Sequence, residues 1–315
     1  MNARMLFAGI LLMTSVTFAA DDDRFRELVP ADAKLEKLGT GMKFTEGPVW
    51  TDADGGYLIF SDIPASELKK WTKAKGVETF RRDANNTNGN TRDAQGRLVS
   101  CEHAARRVTR TEEDGKVTVL AEGYGGKRLN SPNDAVVRSD GSIWFTDPTY
   151  GLPRDQKPEL DARHVFCFGS EGVVDTVVSD FDMPNGLCFS PDEKRLYVAD
   201  SGKPRHIRAF LVRQLAADAL TRRPTWIVQE EGVFCTIDKG VPDGIRCDER
   251  GNVWSSAGDG VQVFGSDGKL IGRIPVPESP ANLCFGGEDR KTLFITARTS
   301  LYAIKTNVKG ASRPQ

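Results

Sequence analysis

The sequence predicts an all-β fold, a six-bladed β-propeller, and three observations carry that reading. One hairpin pattern recurs six times. Asp-Gly turn signals sit between its β-rich runs. No sustained helical period interrupts them. Each copy has an apolar strand, a turn, a second apolar strand and a small or acidic end. The copies are EGPVWTDADGGYLIFSD (46–62), NGNTRDAQGRLVSCE (88–102), NDAVVRSDGSIWFTD (133–147), NGLCFSPDEKRLYVAD (185–200), DGIRCDERGNVWSSA (243–257) and ANLCFGGEDRKTLFITA (281–297). Their starts lie 38 to 58 residues apart, which leaves room for two further strands after each hairpin. That spacing fits four-stranded blades, whereas a β-sandwich has no reason to repeat one hairpin six times.

The elements follow in chain order. Arg4, the apolar run Leu6–Ala20 and the small residues Thr17 and Ala19 read as an export signal over residues 1–20. The run is too short to span a bilayer comfortably. The expectation is therefore a mature chain, residues 21–315, that is one soluble propeller exported to the periplasm or medium. Asp54-Gly55 and Asp140-Gly141 have the chemistry of hairpin turns. The best helix candidate is Val212–Leu220, inside the longest insertion between repeats. After Ala297 one strand remains, SLYAIKT, so the sixth blade has three strands of its own. Lys34–Leu38, ahead of the first repeat, is expected to supply the fourth and close the ring without free sheet edges.

Composition removes several classes of function. The chain carries 43 basic and 44 acidic residues, net −1, which gives no electrostatic footprint for nucleic acid. There is no Gly-x-Ser-x-Gly elbow, no His-Glu-x-x-His and no phosphate-cradling glycine loop with lysine. The six cysteines are even in number, which allows disulfides. Cys188, Cys247 and Cys284 nevertheless sit inside apolar runs, as small buried hydrophobes do.

Aligning the repeats puts Glu46, Asn88, Asn133, Asn185, Asp243 and Ala281 in one column. The first strand of each propeller blade lines the central channel, so this column forms a ring at one mouth. Asn-Gly and Asp-Gly pairs taken singly are ordinary turn residues. Five carboxylates and carboxamides converging on one axis instead suit a hard cation, Ca²⁺ first and Mg²⁺ or Mn²⁺ as alternatives. Two carboxylates nearly neutralise a divalent ion, and burying them unpaired is costly. Asp62, Glu102, Asp147 and Asp200, which end the second strands, return to the same face. About half of them are expected to cap loop backbone. His103 is the histidine nearest this mouth.

At these residues the chain resembles the senescence-marker-protein/gluconolactonase/luciferin-regenerating-enzyme family of regucalcin-like propellers. The resemblance runs from about Phe44 to Ile304. It rests on FTEGPVW, NSPNDAVV, MPNGLCFSPDEKRLYVADSG and VPDGIRCDERGNVWSSAGDG. It implies a Ca²⁺- or Zn²⁺-type site held by Glu46, Asn133, Asn185 and Asp243, and hydrolysis of a small-molecule lactone. Asn133 binds directly, through water, or to substrate. Asn90 stands where the resemblance leads one to expect an apolar residue. Asp243 is the expected general base, and Asn88, Glu102, His103 and Tyr150 are the expected substrate contacts. A phosphotriesterase of the diisopropyl-fluorophosphatase type and a non-catalytic calcium-binding propeller are the alternatives.

Overall fold

A computed structural model describes residues 23–169, 171–215 and 225–311. Six four-stranded antiparallel sheets make six blades. Their inner strands are Thr45–Thr51, Thr87–Arg92, Ala135–Val137, Pro184–Phe189, Ile245–Cys247 and Pro280–Gly286. Each inner strand packs on the next, and the sixth packs on the first, so the ring is closed. Burial falls outward along a blade. In the first blade the inner strand Thr45–Thr51 is almost wholly buried, whereas the outer strand Gly76–Arg81 has an exposed centre. The sequence follows this gradient, with VW and LIF inside and GVETFR outside.

The apolar core is divided into the wedges between blades. Trp144, Val165, Leu187, Val198 and Phe210 fill the wedge between blades three and four. Trp254, Val261, Ile274, Leu283 and Ile295 fill the one between five and six. Alternating side chains along each strand supply both neighbouring wedges at once, which is why the repeats read as near-continuous apolar runs. All six cysteines are buried and none is in a disulfide, including the three placed in apolar runs.

Ring closure follows the expected device with a small shift. The strand that completes the sixth blade is Glu36–Thr40, paired antiparallel with Ser300–Lys305. It lies two residues later than Lys34–Leu38, because Leu35 is turned into the core while Leu38 packs beside Met42. A short helix, Asp23–Leu28, precedes it. Its six residues show too little periodicity to be read in sequence. Phe25, Leu28 and Val29 are nevertheless buried in the wedge between blades five and six. Gly272 makes the docking possible, since a Cβ there would lie 2.2 Å from the Phe25 ring.

The helix expected at Val212–Leu220 is corrected. His206–Leu215 is one ten-residue strand paired with Thr225–Thr236, and Val212, Arg213, Gln214 and Leu215 lie opposite Val228, Ile227, Trp226 and Thr225. Strand pairing there overrides a weak local helical propensity. Residues 216–220 lie outside the described residues, as does the expected export signal. Among the described residues no helix is long and apolar enough to cross a membrane.

The N-terminal segment should contribute measurably to stability. Deleting residues 1–40 removes the closing strand and the buried Phe25, Leu28 and Leu35, each worth roughly 1.5–3 kcal/mol. The melting temperature should fall by on the order of 10 °C, while deletion of residues 1–20 leaves it unchanged. Equal melting temperatures for the two truncations would exclude this account of closure.

Candidate metal and active site

The column residues owe their positions to backbone contacts between blades. Gly89 N–H donates to the Asn133 carbonyl (2.7 Å), Gly186 N–H to the Asp243 carbonyl (3.1 Å) and Gly244 N–H to the Ala281 carbonyl (2.8 Å). Hydroxyls from the second strands add to the same latch. Ser61 donates to the Asn88 carbonyl at 2.6 Å and Thr146 to the Asn185 carbonyl at 2.7 Å. Inner strands are thereby drawn so close that a side chain after the column residue would not fit. A Cβ on Gly89 would lie 2.4 Å from the Asn133 carbonyl oxygen, and one on Gly186 2.3 Å from that of Asp243. The Asn-Gly and Asp-Gly pairs are thus close-approach positions, where sequence alone suggests turns. The ladder is also irregular at this level, with register shifts between Glu46 and Val49, Thr87 and Asn90, and Pro184 and Leu187. Such bulges re-aim side chains.

Four of the predicted residues meet at the mouth. Glu46 is buried, and its Oε2 accepts from Gly47 N–H at 2.6 Å and Asn282 Nδ2 at 2.9 Å. Burial, reinforced by the nearby charges of Asp243 and Asp134, holds its carboxyl well above the usual range. Burial likewise pushes Asp243 up to about 7; a hydrogen bond from Asn185 pulls the other way, and Asp134 adds to the rise. The Asn185 amide donates to Ser201 Oγ at 2.9 Å, leaving its own Oδ1 buried without a hydrogen-bond partner. Asn133 Nδ2 donates to the Tyr150 hydroxyl at 2.7 Å. Tyr150 is 45% exposed, but its hydroxyl end dips into the mouth, where burial, and then the charges of Asp243, Glu46 and Asp134, raise its pKa.

Asn88 and His103 form a second pair beside them. Asn88 Nδ2 lies 3.2 Å from His103 Nε2, and Asn88 Oδ1 is buried without a partner. Burial lowers His103 to about 4, so the ring is neutral at neutral pH. Gly151 lies flat against that ring, since a Cβ there would come within 2.4 Å of Nδ1.

Glu102 does not present free oxygens to a ligand. Oε2 accepts from Asn85 at 3.0 Å and Arg107 at 2.7 Å, and Oε1 from Thr109 at 3.0 Å. The other strand-ending carboxylates are loop caps, so capping extends beyond the half expected. Asp62 takes the backbone N–H groups of Lys43 and Phe44, Asp147 that of Asn130, and Asp200 those of Asp182 and Met183. Each fixes the loop two or three residues ahead of Glu46, Asn133 or Asn185. Asn90 is explained too. Its Nδ2 donates to the Gly47 carbonyl (3.0 Å) and Ser61 Oγ (2.9 Å), tying the second blade to the first.

Sequence reasoning missed Asp134 and Asn282, both buried and both near Glu46. A signal was present. After the column residue come Gly47, Gly89, Gly186 and Gly244 in four blades, but Asp134 and Asn282 in the other two. The glycines vacate space that these two side chains fill. A Cβ on Gly89 would sit 2.6 Å from Asp134 Oδ1, and one on Gly244 2.1 Å from Asn282 Cγ.

Among the described residues no three His, Cys, Asp or Glu side chains are grouped as metal ligands. A cation here would draw on carboxamide oxygens as well. The partnerless Asn185 Oδ1 beside the buried Glu46 and half-buried Asp243 carboxylates fits a hard, oxygen-liganded divalent ion. Fold and site together define a six-bladed propeller with an acidic, oxygen-lined site at one end of its axis.

Known proteins share that architecture. A gluconolactonase of Zymomonas mobilis is 30% identical over 306 residues, covering 91% of this chain and 85% of that protein. Regucalcin of Xenopus laevis is 28% identical, covering 81% and 83%. The solved structure of a gluconolactonase from Xanthomonas campestris superposes with a TM-score of 0.86 at 35% identity, covering 96% of this chain and all of that one. Residues 44–299 match the model of the SMP-30/Gluconolactonase/LRE-like region, and the chain belongs to this family.

The raised carboxyl groups predict a pH dependence for the chelated protein. A carboxyl with a higher pKa folded than unfolded favours the fold while protonated. That contribution is complete below about pH 4 and is lost as pH rises through the folded value, here about 7 for Asp243. Asp147, pushed up to about 7 by burial, acts in the same direction away from the cluster. Melting temperature under chelation should therefore fall between pH 5 and 7.5. Excess Ca²⁺ should flatten the part due to Glu46 and Asp243 and leave the part due to Asp147. A scan that is identical with and without metal would contradict the assignment.

Proposed function

We propose that this chain hydrolyses a sugar lactone to its aldonic acid with a divalent cation, Ca²⁺ in the first instance, held by Glu46, Asn133, Asn185 and Asp243. Mg²⁺, Mn²⁺ and Zn²⁺ are the alternative ions. The observation that carries the reading is the partnerless Asn185 Oδ1 set beside the buried Glu46 and half-buried Asp243 carboxylates, both with a pKa raised by burial and by the charge of Asp134. Relatives named gluconolactonase at 30% and 35% identity support the substrate class. Export to the periplasm or medium belongs to the proposal and rests on the run Leu6–Ala20 alone.

When bound, such an ion polarises the lactone carbonyl and offsets the negative charge that develops on its oxygen. The rest of the chemistry falls to side chains. Asp243 accepts a proton from the attacking water, whose oxygen bonds to the acyl carbon. The ring C–O bond breaks, and the departing ring oxygen takes up a proton to become a hydroxyl. Asp243 suits this role as a carboxylate that lies beside Glu46 at the mouth and so borders both the proposed ion and the attacking water. The Tyr150 hydroxyl and the Asn133 amide offer paired hydrogen-bonding groups to the sugar at the mouth. Neutral His103 fixes Asn88 and adds no charge. Glu102, with both oxygens engaged, has no part in substrate binding under this reading.

δ-Gluconolactone turnover followed by pH-stat should disappear on exhaustive chelation and return with Ca²⁺, while a phosphotriester control stays unhydrolysed. Full activity after chelation excludes the metal. Asp243→Asn keeps a ligand oxygen but cannot take a proton at neutral pH. At saturating metal its kcat should fall by roughly 10²–10⁴-fold. Recovery to wild-type turnover would remove Asp243 as the base. Glu46→Gln should lose activity together with the melting-temperature rise that Ca²⁺ gives the parent protein.

A further inference from the structure

Beneath the mouth, four polar side chains from four different blades are linked in series. Arg246 Nη1 donates to Asp134 Oδ2 at 3.0 Å. The same oxygen lies 3.4 Å from Asn282 Nδ2. That nitrogen donates to Glu46 Oε2 at 2.9 Å. Asp134 Oδ1 is held by the Ala135 N–H (2.9 Å), and Asn282 Oδ1 by the Leu283 N–H (2.8 Å), so neither side chain can turn over without losing a bond. Asp134 is fully enclosed and Arg246 nearly so. With Gly47 N–H also on Glu46 Oε2, that oxygen has two donors fixed by the protein.

We propose that Asn282, Asp134 and Arg246 are positioning residues that set the affinity of the cation site by fixing the Glu46 carboxylate. This rests on the metal reading of the mouth. Asn282 occupies Oε2 and so leaves Oε1 as the oxygen Glu46 offers to a cation. Asp134 holds the Asn282 amide in the orientation that makes this bond. Arg246 cancels the charge of Asp134. Without Arg246, the three carboxylates of Glu46, Asp134 and Asp243 would face one another uncompensated, and without Asp134 a guanidinium would stand unpaired under a cation site. The pair therefore keeps the net charge of the cluster at the two negative charges that suit a divalent ion. Outer partners of metal ligands characteristically tune affinity in this way.

The test is calorimetric titration of Ca²⁺ into chelated parent and variant proteins, with melting temperatures in chelator as the check of folding. Asn282→Ala should weaken Ca²⁺ binding by about 10–100-fold, with kcat for lactone returning to the parent value once metal saturates. Asp134→Asn should weaken binding as well. The double variant Asp134→Asn/Arg246→Met, which removes the unpaired guanidinium, should bind more tightly than Asp134→Asn alone. A purely structural role predicts the reverse, with the double variant binding no better than Asp134→Asn. Parent-like affinity in Asn282→Ala, with the parent binding Ca²⁺, would overturn the positioning role alone. A parent protein that binds no Ca²⁺, Mg²⁺, Mn²⁺ or Zn²⁺ would overturn the metal reading and this inference together.

Discussion

Six inner strands converge on one axis, and backbone contact between them sets the space that remains. Gly89, Gly186 and Gly244 donate their N–H groups to the carbonyls of the next blade's column residue, at distances where a Cβ would collide. The rest of the site depends on that approach. It brings Glu46, Asn185 and Asp243 from three blades to one mouth, and it leaves volume that Asp134 and Asn282 alone fill. The wedges of apolar side chains supply the driving force for closing the ring, and the glycines decide how tightly it closes.

Tight closure has an electrostatic consequence. Glu46 and Asp134 are buried with Asp243 half-buried beside them, and of the three Asp134 has a guanidinium at hand. Burying carboxylates without compensation raises their pKa and costs stability. A bare cluster of this kind is a poor structural element, and that deficit is what the proposed cation would relieve. The same burial keeps His103 neutral, so the histidine nearest the mouth acts on Asn88 as a hydrogen-bond partner and not as a charge. Stability is thus concentrated in the wedges, while the axis holds a polar arrangement whose energetic deficit is the basis of its proposed function.

Carboxylates at the ends of the second strands belong to a different layer of the design. Asp62, Asp147 and Asp200 occupy equivalent places and take loop backbone N–H groups just ahead of the column residues. Glu102 replaces that pattern with Asn85, Arg107 and Thr109. An acidic residue at this position reads identically in sequence whether it faces a ligand or caps a loop, because both uses require a buried carboxylate at the end of a strand.

The sequence by itself determined the blade count, the closure of the last blade by an N-terminal strand, and the column that contains Glu46, Asn133, Asn185 and Asp243. Each of these is written in a period or an alternation, and periodicity survives without coordinates. Only the tertiary structure decided the rest. The helix Asp23–Leu28 is too short to carry a period, and Val212–Leu215 joins a strand because Thr225–Val228 lies beside it. Asp134 and Asn282 break a column of glycines in the sequence, but what they do there is decided only when neighbouring blades meet, because they fill the empty space over Gly89 and Gly244. Which oxygen of Glu46 is free, and which of Asn185 lacks a donor, are properties of contacts between residues as many as 236 positions apart, and no local pattern encodes them.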